Sequence, residues 1–119
     1  MFKMTIFILM LFTSSAYAAT GLVKGKIQYV RVHDSATHGS GWTPPIFWFT
    51  IEGVTSSGSC RKFGSNVLFV MDTDQAYSMV MAAFMADKEI AVRYDDSVLS
   101  PYSYCKATYL TVGNPPPLN

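Results

Sequence analysis

His33 stands next to Asp34, which are the residue types of a general base and of a carboxylate that orients it. Hydrolysis through such a pair also needs a positioned serine or cysteine and an oxyanion hole. Serines are plentiful, yet none lies in an elbow of the form G-x-S-x-G. His33-Asp34 therefore reads first as a strand end entering a turn. Asp72 and Asp74 bring two hard oxygen donors, fewer than a calcium loop supplies. They suit the start of a helix, where Asp or Thr caps the free N–H groups. Asp95-Asp96 reads as a solvated turn, and His33 with His38 makes too small a set for zinc. No catalytic group, metal or cofactor is expected, and the chain reads as a non-enzyme.

Cys60 and Cys105 have neither a CxxC partner nor a histidine beside them. Their chemistry depends on compartment, which the first residues address. Lys3 is followed by an apolar run from Met4 to Phe12, then by Thr13, Ser14, Ser15 and the small-residue site Ala16-Tyr17-Ala18. This is the pattern of a secretory signal peptide over residues 1–18, cleaved between Ala18 and Ala19. The run is about half the roughly 20 apolar residues of a bilayer-spanning helix. The expected location is secreted or periplasmic, with no membrane span. In that setting Cys60 and Cys105 most simply form one disulfide across 45 residues. In the chain-entropy view it would stabilise the fold by about 3–4 kcal/mol.

Without Lys3 the nine basic residues become eight, against eight acidic ones. A neutral chain with scattered cations lacks the basic excess of a nucleic-acid binder, so no nucleic-acid partner is expected. Residues 19–112 suit one domain, small for a self-sufficient core.

Five strands and one helix would position these groups. Leu22–His33 is a long strand whose alternation swaps faces near Gln28–Val30, which predicts a bulge or bend there. A polar loop follows, with Gly39, Gly41, Pro44 and Pro45. In the strand 46–52, Phe47, Phe49 and Ile51 share one face, and Trp48, Thr50 and Glu52 the other. Residues 66–71 form an apolar strand. A helix over about 75–87 places Ala76, Val80, Ala83 and Phe84 on one stripe, with Tyr77, Met81 and Met85 beside it. Strands follow at 89–94 and 104–112, separated by a loop at 95–102. The tail 113–119, rich in proline, is expected to be extended and exposed. The fold class is mainly β with one helix, in the order β-β-β-α-β-β. That is the plan of an OB-fold-like five-stranded barrel; an unrelated α+β roll is its rival.

Trp42, between Gly41 and Thr43-Pro44, is either an exposed platform for a sugar or protein ligand or a cover for one end of the barrel. The predicted working surface combines the loop 34–45 with neighbouring strand faces, and includes Trp42, His33 and Asp34. Trp48 on the polar face of its strand, with Met81 and Met85 of the helix, marks a candidate subunit interface.

Three short stretches carry a resemblance. They are Ile51-Glu52-Gly53 followed by Ser56, Ser57, Gly58 and Cys60; the helix leading into a strand with Arg93-Tyr94 that continues through Val98; and Lys106-Ala107 in the last strand. Over roughly residues 25–112 the chain resembles the B subunits of bacterial AB5-type toxins, the subtilase-cytotoxin type in particular. The resemblance implies an OB-fold, a ring-forming homo-oligomer, cell-surface glycan binding without catalysis, and an exported catalytic subunit as partner. Two departures accompany it. The cysteine arrangement differs, and Lys24 stands where such subunits use a small hydroxyl residue for sialic acid, which makes Lys24 a ligand-contact candidate of another chemistry. The other reading is a small exported inhibitor or structural protein acting through protein–protein contacts.

Overall fold

The structure is a computed structural model that describes residues 20–35, 40–99 and 103–118. Residues 1–18, the Ala18–Ala19 junction and His38 lie outside the described residues.

Strand β1 (Thr20–Val32) is the spine of the fold. Its first half pairs antiparallel with β5 (Glu89–Leu99), from Thr20 opposite Asp95 to Lys26 opposite Glu89. Its second half pairs antiparallel with β2 (Phe47–Ile51), from Ile27 opposite Ile51 to Val32 opposite Phe47. The register slips between Ile27 and Tyr29, so the predicted bulge falls at Gln28. Gly25 stands just before this exchange of partners. A Cβ there would lie 2.7 Å from Ile51 Cγ2 and 3.1 Å from the Glu52 carbonyl, so only glycine lets the two strands approach so closely.

β2 pairs on its other edge with β4 (Asn66–Met71), β4 runs parallel to β6 (Cys105–Val112), and β6 returns antiparallel to β5. Five strands thus close into an OB-fold-like barrel in the order β1-β2-β4-β6-β5. Helix α1 (Asp74–Met85) joins β4 to β5. Thr73 caps it, its hydroxyl accepting from the Ala76 N–H at 3.1 Å. Lys106 donates to Asp72 at 2.6 Å, which anchors the helix start to β6.

The barrel interior holds Phe47, Phe49, Ile51, Val67, Phe69, Ile90, Val92 and Cys105, and Ala76, Val80 and Ala83 of α1 join it. The Cys60–Cys105 disulfide is present and belongs to the same core.

The structure departs from the sequence expectations in four places. A two-residue strand, β3 (Lys62–Phe63), makes a hairpin with the start of β4. Residues 95–99, expected as loop, extend β5, because Asp95 and Asp96 bond to Ser97 and Ser59 and so have partners within a strand. Phe84 is exposed rather than part of the buried stripe, since Ala83 takes the inward position beside it. The tail is not fully exposed: the Gly113 N–H continues the β5 pairing by donating to the Glu89 carbonyl at 3.2 Å, and Pro116 is buried.

Candidate functional site

Both faces of β2 are buried, which the alternation of its residues does not foretell. Its inner residues fill the barrel. Its outer residues, Trp48 and Thr50, lie beneath a second apolar layer formed with Leu68 and Val70 of β4, Tyr104, and Trp42. Trp42 belongs to a short 3-10 turn at residues 40–42 and folds back onto the barrel wall. His33 stacks on Trp42 with ring centroids 5.8 Å apart, and Trp42 meets Tyr104 at 6.0 Å. The segment that leads into β2 thus lies against the outside of the barrel through Trp42 and Ile46.

Two guanidiniums complete this layer. Arg31 lies 4.8 Å from the Trp48 ring centroid, and Arg61 lies 4.7 Å from that of Tyr104. Phe63 of β3 leans over Trp48 at 5.2 Å. Under this cover Trp48, expected to face outward at a candidate subunit interface, is only 4 % exposed, buried within its own chain.

Between these cover residues two adjoining cavities remain open. One, of about 360 Å³, lies between Tyr29 and Arg31 on one side and the β3–β4 turn on the other. Its floor is Trp48 and Thr50. The second, of about 220 Å³, is bounded by His33, Trp42, Arg61 and Tyr104. Arg31, Trp48 and Phe63 line both, so the two form one groove across β1, β2 and β4.

The polar groups in the groove are held in place. The Thr50 hydroxyl donates to Gln28 Oε1 at 3.3 Å, so the bulge at Gln28 turns its amide toward the floor. Asn66 Nδ2 donates to the Ile51 carbonyl at 3.0 Å, and its Oδ1 accepts from the Ser65 hydroxyl. Tyr29 (59 % exposed) and Phe63 (48 % exposed) present rings to solvent as opposite walls. A groove with aromatic faces, fixed amides, a hydroxyl and guanidiniums can hold a ligand with apolar CH faces and a polar rim.

Of the residues marked from sequence, Trp42 and His33 meet in this groove, and Trp48, marked for an interface, lines its floor. Asp34 follows His33 in an exposed bend and lines neither cavity. Lys24 is also outside, on the half of β1 paired with β5, opposite Ala91. Met81 is half-buried and Met85 is 77 % exposed, both on α1, away from Trp48. Arg31, Arg61, Phe63, Gln28, Thr50 and Asn66 were missed. The swap of faces at Gln28 was the one signal available, and it pointed at this segment without showing what would lie opposite it. Among the described residues no cluster of three His, Cys, Asp or Glu side chains is placed to hold a metal ion, and no helix is long and apolar enough to cross a membrane. In comparison with known proteins, the chain matches no family model, no curated protein and no solved structure.

Proposed function

We propose that the protein is an exported, non-catalytic binding module that takes a saccharide in the groove on the outer face of β1, β2 and β4. The groove itself carries this reading. It sets aromatic rings beside side-chain amides, a hydroxyl and guanidiniums held by the barrel wall. Barrels of this plan hold oligosaccharides and oligonucleotides on the corresponding face, which is support by analogy of fold. Its lining supplies no carboxylate, whereas glycosidic cleavage ordinarily uses a pair of them. The buried disulfide fits an oxidising compartment, secreted or periplasmic. The resemblance to toxin B subunits extends the reading to a homo-oligomeric ring that serves an exported catalytic subunit.

The purified protein should bind components of a glycan array. Trp42→Ala, with an unchanged far-ultraviolet spectrum, should weaken that binding by about tenfold or more, a typical loss for an aromatic anchor. A spread of signal unaffected by Trp42→Ala and by Tyr29→Ala would sink the assignment to this groove. Light scattering tests the ring, and a monomer at micromolar concentration would remove it.

A second reading, a small exported inhibitor or structural protein, draws on the end of α1, where the neighbouring Phe84 and Met85 are each exposed. Absence of glycan binding, with co-purification of a single protein dependent on Phe84 and Met85, would favour it.

A further inference from the structure

We infer that helix α1 pairs with α1 of a second copy of this chain, antiparallel and about a two-fold axis. The composition of the helix gives the first reason. From Gln75 to Ala86 the sequence QAYSMVMAAFMA has no charged residue, so no side of α1 is marked for water by charge. Ala76, Val80 and Ala83 point into the barrel core. On the far side Ser78, Met81, Ala82 and Met85 recur at i, i+3, i+4 and i+7, the spacing of a second packing stripe. Ser78, Ala82 and Met85 are exposed, Met85 to 77 %, and Met81 is half-buried. A helix without charge on either side belongs between two layers, and the described residues cover one side only.

Size and charge identify the second layer. The stripe is centred between Met81 and Ala82. An antiparallel copy laid on that centre sets Met85 against the partner's Ser78, and Met81 against the partner's Ala82. Each long side chain then meets a short one, as ridges meet grooves. The ends match in charge. Asp74 opens α1 and Lys88 follows its end, and neither has an ion-pair partner among the described residues. The charges around them are engaged: Asp72 with Lys106, Asp87 with Lys26, and Glu89 opposite Lys26 in the sheet. In the antiparallel pair Lys88 comes alongside the partner's Gln75 and reaches the partner's Asp74, and symmetry repeats the contact at the other end. A parallel pair would instead set Asp74 beside Asp74. A two-fold contact closes on itself after two copies, so it is separate from a ring. It is also separate from the groove, which no residue of α1 lines.

One helix contact buries less than a standard interface, so the dimer should be weak and appear between about 10 µM and 1 mM. Sedimentation equilibrium of the protein over that range measures it. Met85→Lys is expected to weaken the dimer about tenfold or more. Asp74→Lys and Lys88→Asp each enter the contact twice, and each alone is expected to weaken it about fivefold. The double variant Asp74→Lys/Lys88→Asp is expected to regain most of the native affinity. The helix dipole disfavours both swaps, so a purely structural effect would make the double variant the weakest of the three. A monomer up to about 1 mM would overturn the inference. So would a double variant no better than the single ones. An assembly larger than a dimer that Met85→Lys leaves intact would overturn the helix pair and leave the ring standing.

Discussion

Two exposed side-chain pairs show how single residues respond to pH, with opposite signs. Asp95 accepts from the Ser97 hydroxyl at 2.6 Å and from the Ser97 N–H at 2.9 Å. These bonds, the hydroxyl's first, hold its carboxyl below the ordinary range. The stabilisation they bring is complete above the carboxyl's unfolded pKa and is lost as pH falls through the lower, folded one. Lys26 behaves in the reverse sense. Its hydrogen bond to Asp87, then the charge of Asp87, raise its pKa, so its contribution is complete below its unfolded value and is lost as pH rises through the folded one. Both groups face water, and each effect is small. Ser97→Ala should move the Asp95 titration midpoint, followed by side-chain carboxyl NMR, upward part of the way to the ordinary carboxylate range, since the backbone N–H of residue 97 still donates. An unmoved midpoint would show that the hydroxyl of residue 97 is not its leading cause.

At the scale of elements, β1 depends on one glycine and α1 on one threonine. Gly25→Ala forces a methyl group against Ile51 Cγ2 at 2.7 Å, where β1 exchanges β5 for β2. The expected loss is about 1–3 kcal/mol, as for overpacked cores, measured by urea unfolding. Thr73→Ala removes the cap of α1 and should cost about 1 kcal/mol. Much of this level was legible in the sequence. Alternation at 46–52 and 89–94, the apolar run at 66–71 and the Asp and Thr capping types at 72–74 are local signals, and each led to its element. β3 was not legible, because two residues carry no period. The extension of β5 was hidden in Asp95-Asp96, whose composition is that of a turn until Ser97 and Ser59 are seen to bond them. The groove was half legible. Trp42 and His33 stood out by type, but Trp48, Arg61 and Tyr104 are brought together only by closure of the barrel, which no local pattern encodes.

For the whole molecule, the disulfide links the segment before β3 to the first residue of β6, 45 residues apart. Arg61 follows Cys60 and Tyr104 precedes Cys105, so one covalent bond holds both members of a cation–π pair in the groove wall. The double variant Cys60→Ser/Cys105→Ser should lose about 4 kcal/mol in chemical denaturation, the chain-entropy value for a loop of this length. In the fraction that stays folded, ligand binding in the groove should fall below that of the native protein. Equal binding by the folded variant would show that the bridge serves stability alone.

β2 has a partner strand on each edge, the barrel core under one face and the aromatic layer over the other. Its amides have no route to solvent short of opening the entire barrel, so they should be among the last protons to exchange with deuterium, at the rate of global unfolding. The walls above it differ, because the Phe63 hairpin is short and exposed. A ligand entering the groove therefore meets a base that keeps its shape for as long as the molecule stays folded, beneath rims free to adjust within each encounter.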